Sequence, residues 1–231
     1  MKINFDINLT KKQKEAYSVL HDKDCQFLVA RWSRQCGKTV LDEIMMIEYI
    51  CKKNTFNAYI SPTFSQGKKV YSELVQLLEG TGIILKANAA DLKIESVYGS
   101  TLKFFSMESA TAIRGNTVSG LLVMDEAAFF PLQLPDGSDP YYNVIFPIIK
   151  ARKPKVLVIS TPNGKQGMYY ELYLKAFNKT PTDWLNGNIG NTAACYNVKY
   201  RFARRAMRLP VIRKAASISL ANRISKAVDY K

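Results

Sequence analysis

The residues Ser33-Arg34-Gln35-Cys36-Gly37-Lys38-Thr39 stand just behind the apolar run Phe27-Leu28-Val29-Ala30. A buried strand that turns through a ring of backbone N–H groups into the positive end of a helix is a receptor for phosphate oxygens. In such a loop Lys38 reaches the β and γ phosphates of a nucleoside triphosphate, and the Thr39 hydroxyl holds Mg²⁺. The complete pattern has a glycine where this chain has Trp32, so the match is partial. Taken alone, Gly-Lys-Thr is also a common surface turn.

Two further apolar runs end in residues that suit the same chemistry. Leu121-Leu122-Val123-Met124 delivers Asp125-Glu126 to a strand's carboxyl end, where ligands bind in open α/β sheets. Asp125 is the expected metal ligand, directly or through water, and Glu126 the group that polarises the water attacking the γ phosphate. Neighbouring side chains on a strand point to opposite sides, which lets the two acids divide these tasks. Val156-Leu157-Val158-Ile159 leads into Ser160-Thr161-Pro162-Asn163-Gly164, whose short hydroxyls suit contact with a phosphate or its water and so could sense hydrolysis. An ordinary acidic turn and a Pro-Gly turn are the plain alternatives for these two segments.

The elements that must position these residues are legible from periodicity. Leu9 to Leu20 reads as a short helix opened by Thr10, and Val40 to Ile47 as a helix broad enough in its apolar face to pack on a sheet. Ala58-Tyr59-Ile60 predicts a short strand, Val70 to Leu78 a second amphipathic helix, and Tyr169 to Phe177 another helix. Residues 92–98 and 101–107 alternate around Gly99-Ser100 as a β-hairpin. Strand and helix alternate, so the fold class is α/β, a mainly parallel sheet sandwiched by helices with a hairpin addition. Asn186-Gly187-Asn188-Ile189-Gly190-Asn191 has the composition of a connection, which divides the chain into a domain over residues 1–180 and a linker with tail over 181–231.

Composition narrows the partners. With 231 residues, 47% hydrophobic and 23% charged, the chain can bury one good core, and no apolar stretch approaches the ~20 residues that cross a bilayer. The start lacks a secretory apolar core, so a soluble, cytoplasmic chain without membrane association is expected. The four cysteines form no C-x-x-C pair and His21 is the lone histidine, which argues against a zinc site and predicts reduced thiols and a surface histidine. Of the net charge of +14, much lies at the end: residues 199–231 hold ten Lys and Arg against one Asp. A polyanion such as nucleic acid is a natural partner, a solvated tail the plain alternative. Val211, Ile212, Ala215, Ala216, Leu220, Ile224 and Val228 predict a basic amphipathic helix after Pro210.

Ser33 to Thr39, Arg114-Gly115-Asn116, Met124-Asp125-Glu126-Ala127-Ala128-Phe129 and Ser160 to Gly164 resemble, in order, the motifs of the terminase large-subunit ATPase domain, the motor that packages DNA into tailed-phage and herpesvirus capsids. The resemblance covers about the first 177 residues, and the missing first glycine is itself similar to that family's deviant loop, in which an Arg-Gln pair precedes Gly-Lys-Thr. It implies a P-loop NTPase fold of the RecA-like, ASCE type, with ATP and Mg²⁺ as cofactors. Ser33, Arg34, Gln35, Cys36, Gly37, Lys38 and Thr39 would then bind the nucleotide, with Gln13 in the adenine-recognition segment. Thr39 and Asp125 would hold the metal. Catalysis would fall to Glu126, Lys38 and Arg34, the last neutralising charge on the triphosphate, and coupling to Ser160, Thr161 and Pro162. Arg114 matches the family's Arg-Gly motif, facing nucleotide, DNA or another subunit. The implied activity is ATP hydrolysis coupled to translocation of double-stranded DNA into a procapsid. The implied partners are further copies in a ring, a portal protein and a small terminase subunit, and the implied location is the host cytoplasm, transiently at the portal. Beyond Thr180 the acids are Asp183 and Asp229 alone, too few for the two-metal nuclease site that usually follows, so nuclease activity is not expected and a truncated, split or short form is. A helicase-like translocase, or a DNA-binding assembly factor with a vestigial nucleotide site, are the rival readings.

Overall fold

A computed structural model describes residues 9–23, 25–177 and 192–196. Eight strands form one sheet in the order β3-β4-β5-β2-β6-β7-β1-β8. They are β1 (Phe27–Arg31), β2 (Phe56–Ser61), β3 (Ile84–Asn88), β4 (Lys93–Ser96), β5 (Thr101–Ser106), β6 (Leu121–Asp125), β7 (Lys155–Ser160) and β8 (Thr192–Tyr196). The five strands from β5 to β1 run parallel; β3 and β4 add an antiparallel meander at one edge, and β8 pairs antiparallel with β1 at the other.

The apolar runs in β1, β6 and β7 are buried on both faces, as strands covered by helices on two sides require. Alternation sends Leu28, Ala30, Leu121, Val123, Leu157 and Ile159 to one face. There they meet α1 (Lys11–Leu20), α2 (Lys38–Ile50) and α3 (Phe64–Leu78). Phe27, Val29, Leu122, Met124, Val156 and Val158 point to the other face. That side is covered by α4 (Ala110–Ile113), a π turn at Tyr141–Ile145 leading into α5 (Phe146–Lys150), and α6 (Gly167–Phe177). β7 lies between β1 and β6, the inserted strand that defines the ASCE arrangement of a P-loop fold.

The structure departs from the sequence-based expectations at four places. Strand β3 was not anticipated, because its residues alternate poorly and Leu85 points outward, 70% exposed. Strand β8 falls within the residues assigned by composition to linker and tail, so the sheet continues past residue 180. His21 is only partly at the surface, its side chain 24% exposed, and it is bonded to Glu48 between α1 and α2. Cys36 and Cys51 are free thiols as expected, whereas Cys25 is disulfide-bonded. The basic helix expected after Pro210 lies outside the described residues. Among the described residues no helix is long and apolar enough to cross a membrane.

Candidate nucleotide site

The loop between β1 and α2 is shaped by two left-handed residues, Gln35 (φ 58°) and Gly37 (φ 71°). Gly37 is the N-cap of α2 and no side chain caps the helix start, so its first N–H groups remain available to an anion. A Cβ on Gly37 would stand 2.3 Å from the Gln13 amide nitrogen, so space as well as φ demands glycine. Trp32, which replaces the first glycine of the usual loop, is 1% exposed and packs into the core, and its backbone N–H donates to the Ser160 carbonyl at 3.1 Å. The indole thus wedges the loop's start against the core beside the tip of β7. Within the loop the Ser33 hydroxyl and the Cys36 thiol lie 2.9 Å apart.

Gln13 docks on this loop from α1. Its amide nitrogen donates to the Gly37 carbonyl at 2.8 Å, while its amide oxygen accepts from Thr10 N–H at 2.7 Å as half of a capping box. One side chain therefore starts α1 and braces the phosphate loop.

The three strand tips converge on Lys38. Its ammonium lies 3.2 Å from Glu126 Oε1, donates to Thr161 Oγ1 at 3.0 Å and to the Ser33 carbonyl at 3.3 Å, and is 8% exposed. The other Glu126 oxygen accepts from Thr161 N–H at 3.3 Å and lies 3.2 Å from the Ser160 hydroxyl, which itself accepts from Ala128 N–H at 3.1 Å. Glu126 adopts φ 47°, a left-handed conformation costly for a side-chain-bearing residue and held here by these bonds. It also turns the acid toward β7 and the phosphate loop.

Asp125 sits on the same sheet face as Val123, toward α2. Its Oδ2 accepts from the Tyr59 hydroxyl at 2.8 Å and its Oδ1 from Glu126 N–H at 2.8 Å. Burial pushes its carboxyl above the usual range and the Glu126 charge adds to this, against the opposing hydrogen bond from Tyr59. A neighbouring cation restores the ionised form.

Of the residues singled out by sequence, the structure joins Gln13 to Gly37, Lys38 to Ser33, Glu126 and Thr161, and Ser160 to Glu126. Thr39 lies in the first turn of α2, half-buried, and Pro162 follows Thr161 in the β7 loop, also half-buried. Arg34 and Gln35 are exposed, and the Arg34 guanidinium has no partner among the described residues. Arg114 stands apart from this cluster, its guanidinium 3.2 Å from Asp136 at the surface. Two residues escaped the sequence reading. Tyr59 was placed in a strand without any sign that it would reach Asp125. Asp42 lies on α2 beside Leu41, Ile44 and Met45, and no local pattern distinguishes it from the other acids of that helix, Glu43 and Glu48.

Among the described residues no group of three or more His, Cys, Asp or Glu is arranged to hold a metal ion unaided. Mg²⁺ bound in the P-loop manner takes one or two protein groups together with phosphate oxygens and water. Thr39 and Asp125 are the residues that would supply them. Asp125 and Asp42 are both buried carboxyls, each raised above its ordinary range chiefly by burial.

Residues 30–207 match the family model described as terminase large subunit, T4likevirus-type, N-terminal. Among solved structures, the large terminase ATPase domain of Thermus phage P74-26 is similar with a TM-score of 0.59 and 21% identity, over 73% of this chain and 70% of that one. The large terminase of bacteriophage HK97 has a TM-score of 0.60 and 16% identity, over 97% of this chain and 48% of its own. That of the thermophilic bacteriophage D6E has a TM-score of 0.59 and 18% identity, over 73% and 43% respectively. At these identities the structural likeness speaks to fold, and the chain spans under half of the latter two proteins.

Proposed function

The chain belongs to the T4-type terminase large-subunit N-terminal family, and from that membership we propose that it hydrolyses ATP as the motor domain of a DNA-packaging machine. The carrying observation is Lys38, whose ammonium ties Ser33, Glu126 and Thr161 into one cluster at three strand tips. When a triphosphate enters, its phosphates meet the uncapped N–H groups of α2 and the Lys38 ammonium. Lys38 then exchanges Glu126 and Thr161 for phosphate oxygens. Glu126 Oε1 is released to accept a proton from the attacking water, while Oε2 stays bonded by Thr161 N–H and the Ser160 hydroxyl. Through those same bonds the state of Glu126 is felt by Ser160, Thr161 and Pro162, the coupling segment.

Mg²⁺, held by Thr39 and Asp125, would offset charge on the β and γ phosphates. Tyr59 orients Asp125 for that task. Arg34, unpartnered and exposed at the loop, is the group free to swing onto the triphosphate. Ser33, Gln35, Cys36 and Gly37 complete the cradle, and Gln13, in the adenine-recognition segment, braces it. Residues 1–180 form the ATPase unit, with β8 completing its sheet. The rest of 181–231, strongly basic, is proposed to meet double-stranded DNA. A homo-oligomeric ring engaging a portal protein and a small terminase subunit, in host cytoplasm, completes the reading.

The test is Glu126→Gln. ATP binding is retained and steady-state turnover falls by about 10²-fold or more, the scale of losing a positioned base. Unchanged turnover removes Glu126 from this role. DNA binding that depends on the tail, with no hydrolysis by the unaltered protein under any condition, would instead support the assembly-factor reading.

A further inference from the structure

Asp42 is 0% exposed, and neither of its carboxyl oxygens has a hydrogen-bond partner. A buried polar group left without partners is destabilising, and a stranded carboxyl more so, so its presence asks what it is for. Asp42 follows Thr39 by three residues and Lys38 by four on α2. In a helix those offsets put it on the same side as both, about 4.5 Å deeper along the axis than Thr39 at ~1.5 Å rise per residue. That side of α2 packs on the sheet face carrying Val123 and Tyr59, the face to which Asp125 also belongs. Burial above all raises the Asp42 carboxyl, the charges of Asp125, Glu43 and Glu126 raise it further, and that of Lys38 lowers it.

We propose that Asp42 is a positioning residue for the divalent cation, accepting hydrogen bonds from water on the metal from one helical turn behind Thr39. Three features carry it. The carboxyl oxygens are free to accept; the side chain is locked on the metal side of α2 by burial; and a Mg²⁺ ion that keeps several of its waters needs acceptors beyond its direct ligands. The role deepens the ATPase reading and rests on it, since the metal is the one Thr39 and Asp125 would hold.

The experiment measures binding of Mn²⁺, by its free-ion electron paramagnetic resonance signal, to the protein saturated with the non-hydrolysable analogue adenosine 5′-(β,γ-imido)triphosphate. Asp42→Asn keeps shape and removes the charge; Asp42→Leu removes the acceptors altogether. Both are expected to weaken Mn²⁺ binding about tenfold or more, as loss of an outer partner does. Both should bind the analogue in excess EDTA at least as tightly as the unaltered protein, which shows the pocket is folded. Mn²⁺ affinity equal to that of the unaltered protein in both variants overturns the inference about Asp42 while leaving the ATPase reading intact. Failure of the unaltered protein to bind either analogue or Mn²⁺ overturns the ATPase reading itself.

Discussion

Asp42 and Glu48 lie on the same helix, 0% and 6% exposed, yet Glu48 is surrounded by donors while neither oxygen of Asp42 meets one. Glu48 accepts from the Tyr17 hydroxyl at 2.8 Å and from His21 Nε2 at 2.7 Å, and lies 3.5 Å from the Lys52 ammonium. His21 Nδ1 faces the Tyr17 carbonyl at 2.7 Å, so the ring bridges α1 to Glu48 on α2. Burial pushes the Glu48 carboxyl up, but the His21 hydrogen bond and charge, with Lys52 and Tyr17, outweigh it and hold the group below its ordinary value. Burial pushes Asp42 far up, and Asp125 and Glu126 push it further. The difference separates two uses of a buried acid. At the C-terminal end of α2 it ties the helix to α1; at the N-terminal end it is held in reserve for a ligand.

The largest expected effect breaks the first of these. Glu48→Ala leaves Tyr17 and His21 without their hydrogen-bond acceptor and Lys52 without its counter-charge, and should cost about 2–3 kcal/mol in urea unfolding. That lies just below the usual cost of breaking a buried pair, because the His21 and Lys52 side chains both keep some access to water. Affinity for the ATP analogue should be unchanged. A loss below about 0.5 kcal/mol would show that Glu48 is not a structural tie.

Asp42→Leu should move stability the other way. Replacing a stranded carboxyl by an apolar side chain of similar volume among Leu41, Ile44 and Met45 is expected to add about 1–2 kcal/mol near neutral pH. A destabilised variant would mean that Asp42 has partners in the free protein after all.

The pH dependence sharpens the same contrast because the two shifts have opposite signs. The folded-state carboxyl of Glu48 is depressed, so its contribution is present above the unfolded value of about 4.3 and lost as pH falls through the folded value. The folded-state carboxyl of Asp42 is raised, so the folded protein holds a proton the unfolded chain has shed above about pH 3.9. Its contribution is therefore full below that pH and lost as pH rises toward the folded value. In urea unfolding across pH, Glu48→Gln should flatten the loss of stability on the acid side, and Asp42→Leu the decline on the way up to neutrality. Identical profiles for both variants would erase the distinction.

The site was legible where chemistry follows a continuous apolar strand. Lys38 after β1, Asp125 and Glu126 after β6, and Ser160 and Thr161 after β7 each follow a run that could only be a covered strand, and parallel strands bring such ends together. Tyr59 and Asp42 were not legible because their significance lies across the sheet, 66 residues from Asp125 in one case and on a neighbouring layer in the other. The His21–Glu48 contact joins residues 27 apart on two helices, and no local pattern reports such a pairing. Edge strands were the weakest part of the fold reading. β3 exposes most of its residues and leaves no alternating stripe, and β8 is set by pairing with β1, not by its own composition.

A third acid bounds the comparison from below. Asp136 is held at about 2 by the Ser138 hydroxyl and N–H, with Arg114 next in weight, so like Glu48 it is a carboxyl held below its ordinary value. Yet it is exposed, its side chain 54% accessible and that of Arg114 41%, and water competes for every bond it makes. Asp136→Asn and Arg114→Ala are therefore expected to leave Tm unchanged at neutral pH. A clear drop in Tm would show that this surface pair anchors the segment between Glu126 and the π turn. With stability unmoved, Arg114→Ala reads function cleanly: a fall in ATP turnover with intact analogue binding would assign the guanidinium to the reaction. The same turnover in Asp136→Asn would show that its release from Asp136 does not limit the rate.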